Sequence, residues 1–211
     1  MAEPLVVVGA GGFGREALDV AEAMNDAADQ PIWDIVGVVD DAPSPANRDR
    51  LDDRGIPYLG TLDHVGECVQ VAIAIGAPQI RRRVTCALAA RAQPVATLVH
   101  PDALLGSRVV VNEGAIICGG VSVGTNVSIG RHVHLNSRAV IGHDTVLGDY
   151  VSVNPNATIS GDCRIEEAVL VGAASLVLQG LRVGARATIG GAACVVRDVP
   201  AETVVKGIPA R

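Results

Sequence analysis

The sequence predicts a small parallel α/β domain followed by a long parallel β prism. Three observations carry this. From Leu105 to Val195 every sixth residue is a branched aliphatic, with no miss and no insertion. Before that run, short apolar stretches alternate with amphipathic ones. Hydrophobic residues make up 49% of the 211 positions but aromatics only 2%. The core must therefore be built from Val, Ile, Leu and Ala, a composition that suits buried parallel sheets.

The first part reads in order as follows. Residues 5–8 are an apolar strand ending at Gly9. The turn Gly9-Ala10-Gly11-Gly12-Phe13-Gly14 fits GxGxxG, and Ala17, Leu18, Ala21 and Met24 share one face of the helix behind it. A second strand over 35–39 ends in Asp40-Asp41. Strand, glycine turn, helix, strand and acidic end match the dinucleotide fingerprint, in which backbone N–H groups meet phosphates at a helix N-terminus. Residues 42–55 are polar and proline-bearing, a surface loop or short helix. Residues 56–60 are extended, and Thr61 can start a helix. A third strand over 69–75 ends at Gly76, Gln79 to Arg91 reads as a helix, and Pro94 to Val99 is a last strand. This gives a Rossmann-like domain over 1–101, about half the size of a full NAD-binding unit.

The second part, residues 102–200, repeats every six residues, which is neither a helical nor a simple strand period. Four residues after each aliphatic stands a small or β-branched residue (Val109, Ala115, Val121 and on to Val199), Leu181 excepted. A short strand plus a turn fits the unit, with both positions inward. The residue after the aliphatic is often Gly, read here as a turn residue tolerant of unusual backbone angles. Units stacked in this way bury a core only against their neighbours. Residues 201–211 read as a tail.

The repeat resembles that of the hexapeptide-repeat acyltransferases, which implies a left-handed parallel β-helix with three sides and 18 residues per coil. Both parts together resemble the NeuD/PglD-type sugar acyltransferases. The likeness rests on GAGGFGRE (Gly9 to Glu16), VVDD (Val38 to Asp41), AIG (Ala74 to Gly76), LVHPDA (Leu98 to Ala103), LNSRAVIGHD (Leu135 to Asp144) and VVKGIPAR (Val204 to Arg211). It implies acetyl transfer from acetyl-CoA to the amine of a nucleotide-linked sugar in a homotrimer whose active site combines two subunits. By the same carry-over Gly11, Gly12, Phe13, Asp40, Asp41, Gly76 and Gln79 bind the nucleotide-sugar. Ala173 and Gly191 line the pantetheine channel, and Gly161 offers an oxyanion-binding N–H. Ser152 stands where many members carry a second His against the acyl donor, and Phe13 where the glycine loop often carries His.

His143 follows Gly142 in the corner-forming part of its unit, so its side chain points out of the prism. Imidazole can take a proton near neutral pH, and the adjacent carboxylate of Asp144 can orient it. The resemblance makes His143 the catalytic base and Asp144 its partner. His132 and His134 occupy different places in their unit, the fourth and sixth, and read as polar corner or intersubunit residues. With His143 they raise a second reading, the zinc site of left-handed β-helix carbonic anhydrases. The phases differ and that reading leaves the glycine-rich domain without a role, so no metal is expected. Other readings are O-acetylation of a sialic acid-like sugar, a dinucleotide-dependent oxidoreductase, and a non-catalytic β-helix.

A net charge of −6 argues against nucleic acid as partner. No apolar run approaches a membrane span, and the N-terminal apolar stretch lacks a preceding basic region. The cysteines Cys68, Cys86, Cys118, Cys163 and Cys194 are widely spaced without CxxC. Buried free thiols in a cytoplasmic protein are the expectation.

Overall fold

The computed structural model covers residues 1–211. The first part contains β1 (Glu3–Val8), α1 (Gly12–Ala27), β2 (Trp33–Val39), α2 (Pro45–Asp52), β3 (Tyr58–Gly60), β4 (Gln70–Ile73) and α3 (Pro78–Ala89). Its four-stranded sheet has the order β3-β2-β1-β4 and is parallel throughout. Because β1 has β2 on one side and β4 on the other, the strand order reverses there. The crevice at the carboxyl ends of these strands is where a parallel α/β sheet binds ligands.

The expected last strand of this domain divides between the two parts. Val95 bridges Val71 of β4, whereas β5 (Leu98–Val99) pairs with a strand of the prism, Ile116–Ile117. The prism thus starts before residue 102. It also ends later than 200: Val204–Val205 pairs with Thr188–Ile189, and Ala210 is buried and donates to the Cys194 carbonyl. Residues 201–211 close the last coil. The register changes at that end, from 18 residues between stacked partners such as Arg131 and Asp149 to 16 between Arg182 and Asp198.

The two-residue strands of the prism build three parallel faces. The outward column of one face runs Leu98, Ile116, His134, Ser152, Leu170, Thr188, Val204. This face carries the first domain and is called the docked face here. The second column runs Leu104, Ser122, Val140, Thr158, Leu176, Cys194 (the Val140 face). The third runs Val110, Ser128, Val146, Arg164, Arg182 (the Val146 face). The aliphatic and small positions fill one continuous interior from Ala115 to Ala210. A second core crosses the boundary: Ala17, Leu18 and Ala21 of α1 pack with Leu98, Ile116 and Cys118.

The glycines after each aliphatic do not serve unusual backbone angles. The positive-φ residue lies two places later, and it is mostly not glycine: Arg108, Asn126, His132, Arg138, Asp144, Tyr150 and Asn156 have φ between 54° and 61°. The glycines are needed for close approach. A Cβ on Gly142 would lie 2.3 Å from Gly161 N, and one on Gly124 2.6 Å from His143 N. Coils pack backbone on backbone at these corners. Of the cysteines, Cys118 and Cys163 are buried as expected, but Cys68 and Cys86 are exposed; all are free. No helix is long and apolar enough to cross a membrane.

Candidate active site

His143 sits on the corner that joins the Val140 face to the Val146 face, between Val140–Ile141 and Val146–Leu147. That corner lies opposite the docked face, so the first domain of the same chain does not cover it. The imidazole Nδ1 is 2.7 Å from Asp144 Oδ2, and Asp144 also accepts from Asn126 Nδ2 at 3.0 Å. Hydrogen bonds from His143 first and Asn126 second hold the Asp144 carboxyl below the usual carboxylate range. An ionised Asp144 is an acceptor only, so Nδ1 donates to it, and in the neutral ring the lone pair is on Nε2. Asp144 adopts φ 60°, as the equivalent residue of most corners does. Asp tolerates that conformation better than most residues.

Gly161 lies one coil above. A Cβ there would stand 2.6 Å from His143 Cε1 and Nε2, so the imidazole rests against bare backbone. The Gly161 N–H donates to no group of the chain. His143, Asp144, Gly161 and Asn126 thus form one cluster. Asn126 was not singled out in the sequence; its position 18 residues before Asp144 was the available signal.

Ala173 and Gly191 are exposed and stacked on the corner between the docked face and the Val140 face. A Cβ on Gly191 would meet Ala173 O at 3.4 Å. Between these residues and His143 runs the Val140 face.

The nucleotide-sugar residues divide. In the glycine turn, Gly9 (φ 116°) and Gly14 are structural: a Cβ on Gly14 would sit 1.8 Å from Gly9 O, where α1 packs on β1. Gly11, Gly12 and Gly76 have nothing within 4 Å of such a Cβ and leave an open front. Asp40 accepts from Ala10 N at 2.8 Å and Ala42 N at 3.0 Å, bracing the glycine turn from β2. Asp41, exposed, accepts from Leu62 N at 3.0 Å. Asp40 and Asp41 border an apolar cleft that Val8, Val39, Ile75 and Ile80 help to line, at the carboxyl ends of β1, β2 and β4. Gln79 stands apart from that cleft and borders another depression with Arg82, Arg83 and Cys86.

Two expected binding residues lie at the junction between the domains instead. Ser152 is buried on the docked face, bonded to Arg81 Nη2 at 2.9 Å and donating to Gly76 O at 3.0 Å. It does not share the His143 corner. The Phe13 ring packs on His134, with centroids 4.5 Å apart. His134 is itself fully buried, so it is neither a polar corner nor exposed to a second subunit. Its Nδ1 lies 3.0 Å from Arg81 Nη1 and its Nε2 3.0 Å from Ile73 O. His132 is buried beneath Gly114 and stacked on Tyr150 at 5.2 Å. The three histidines weighed as zinc ligands do not gather into one cluster. Burial drives both His134 and His132 down, His132 to about 4, with the Arg81 charge adding to it.

Comparison with known proteins gives a consistent result. The PglD N-terminal domain model matches residues 4–88, and the bacterial transferase hexapeptide model (six repeats) matches residues 126–161. No curated protein sequence matches the chain significantly. Among solved structures, the acetyltransferase domain of PglB from Neisseria gonorrhoeae FA1090 is 27% identical, with 99% of this chain and 98% of that one covered and a TM-score of 0.86. That domain is also known in complex with acetyl coenzyme A. WeeI from Acinetobacter baumannii AYE is 25% identical, covering 100% and 99%, with a TM-score of 0.85. PerB from Caulobacter crescentus, in complex with CoA and GDP-perosamine, shares the fold at 23% identity over 100% and 97%, with a TM-score of 0.87. The prism is accordingly a left-handed parallel β-helix.

Proposed function

We propose that the chain is a sugar acyltransferase of the NeuD/PglD type, as its matches over residues 4–88 and 126–161 support, and that it moves an acetyl group from acetyl-CoA to the amine of a nucleotide-linked amino sugar. The observation that carries the reading is the His143–Asp144 pair, with Nδ1 occupied at 2.7 Å and Nε2 free beside Gly161. In the reaction the amine attacks the thioester carbonyl while His143 Nε2 takes its proton. The new C–N bond forms, the C–S bond breaks, and the proton passes to the departing thiolate. Asp144 fixes the tautomer and stabilises the imidazolium. The Gly161 N–H is the donor available to the oxyanion. Ala173 and Gly191 offer small, exposed backbone along which a pantetheine chain can run.

The apolar cleft between the glycine turn and Asp40-Asp41 receives the nucleotide. It lies on the docked side of the prism and His143 on the opposite corner. The complete site therefore draws the cleft of one subunit to the His143 of another, in a homotrimer. Exposed apolar residues on both sides of that corner, Val140 and Val146 with Leu104 and Val110, support a subunit contact there. The free thiols fit a cytoplasmic enzyme.

The test is turnover of acetyl-CoA with a panel of nucleotide-linked amino sugars, wild type beside His143→Ala. Loss of the base lowers kcat by about 100- to 10,000-fold. Full activity in the variant overturns the mechanism. Turnover confined to acceptors with a hydroxyl in place of the amine reassigns the enzyme to O-acetylation.

A further inference from the structure

Arg81 is fully buried in the third helix of a Rossmann-like domain, and no carboxylate bonds to it. Its guanidinium is spread over main-chain and neutral acceptors from both parts of the chain. Nη1 donates to Ile75 O at 2.7 Å, to Gly76 O at 3.3 Å and to His134 Nδ1 at 3.0 Å. Nη2 donates to Tyr150 O at 2.6 Å and Ser152 Oγ at 2.9 Å. Two prism side chains complete the arrangement: Ser152 donates to Gly76 O and His134 Nε2 to Ile73 O. Since Nδ1 receives an Arg81 N–H, the His134 proton is on Nε2; both terminal nitrogens of Arg81 are partnered, and only its Nε–H is left without an acceptor. The carbonyls so held belong to the end of β4 and the turn after it, which is the wall of the nucleotide cleft at Ile75 and its open front at Gly76.

A domain interface needs only apolar packing to hold, and here α1 already supplies it against Leu98 and Ile116. The polar column at His134 and Ser152 begins where the docked face passes from α1 to the end of β4. We propose that Arg81, with Ser152 and His134, is a positioning clamp through which the prism sets the shape of the nucleotide cleft, and that Ser152 acts on the nucleotide-sugar side of the reaction and not on the acyl donor. The inference rests on the reading of that cleft as the nucleotide site. It replaces the expectation that Ser152 stands in for a histidine against acetyl-CoA.

Isothermal titration of the full chain with GDP, UDP and CoA tests this, on wild type, Ser152→Ala and Arg81→Lys, well below each melting temperature. Lysine keeps the charge but cannot span the guanidinium's acceptors. The expected result is a nucleotide Kd at least ~5-fold weaker in both variants, about the range of one lost neutral hydrogen bond, and a CoA Kd within ~2-fold of wild type, as for a site that keeps its contacts. A merely structural role lowers the melting temperature without separating the two affinities, and that outcome overturns the clamp. A CoA Kd that weakens alone in Ser152→Ala returns Ser152 to the acyl-donor site and also overturns it. A wild type that binds neither nucleotide sinks the reading of the cleft itself, and this inference with it.

Discussion

At the scale of single residues, the site depends on which atoms are missing as much as on which are present. Gly161→Ala introduces a Cβ 2.6 Å from the His143 ring. The ring is exposed and can swing away, so thermal stability should change little. The lone pair then leaves its position, and kcat should drop by roughly 10-fold or more, in line with the cost of misplacing a general base. Steady-state kinetics beside a melting curve separate the two effects; an active, unshifted enzyme would show that His143 does not work against Gly161. Asp144→Asn tests the other nitrogen. The carboxylate is kept ionised by its bonds to His143 and Asn126, and the amide can no longer stabilise an imidazolium. A loss of about 10- to 100-fold in kcat with KM little changed is expected. His143 and Asp144 were legible in the sequence because the repeat gives every residue a phase. The junction contacts of Ser152 and Phe13 were not legible, because phase says which way a side chain points, not what covers it. Arg81, beside Arg82 and Arg83, looks like any charged helix residue until β4 and the prism close on it.

At the scale of elements, the corner is the unit that sets stability. Its first glycine faces the backbone of the next coil, and its third residue carries positive φ. The two positions predict opposite tolerances. Gly142→Ala places a methyl 2.3 Å from Gly161 N, where only backbone can yield, and should destabilise by about 1–3 kcal/mol. Arg138, exposed at φ 60°, should accept Asn or Gly without loss, whereas Arg138→Val should cost about 1–2 kcal/mol because a β-branched residue resists that conformation. Chemical denaturation of the four variants checks this, and equal midpoints would contradict it. Most elements of the first domain were legible to within two or three residues, although residues 42–55 were left open between a loop and a short helix. The strand over Pro94 to Val99 was not, since its apolar composition suits either sheet and only pairing decides between them.

At the scale of the whole chain, two buried imidazoles make stability depend on pH. His132 is held down to about 4 and His134 well below its ordinary value, both first by burial. In the unfolded chain both protonate near pH 6.5. Between that value and about 4 the unfolded state therefore binds more protons, and stability rises with pH across this window. Acidification from pH 7 to 5 should lower the melting temperature, each imidazole contributing up to about 1.4 kcal/mol per pH unit below 6.5. His132→Phe, which keeps the stack on Tyr150, should flatten part of that slope. An unchanged slope would mean that His132 can charge in place. The oligomer belongs to this scale too: sedimentation should give three copies, and dilution to monomer should abolish turnover. An active monomer would contradict a site shared between subunits.

The 18-residue offset that stacked partners keep up to the last coil works as a reading frame. His143 and Gly161 meet only because the chain between them fills one frame. Deleting a single residue in that interval would shift Gly161 and everything above it one step around the prism, and the cluster would come apart with its composition nearly intact. Excising a whole frame beyond Gly161 would shorten the prism yet leave every remaining column in phase. For this molecule the severity of a deletion is therefore set by its length modulo eighteen, not by the number of residues lost.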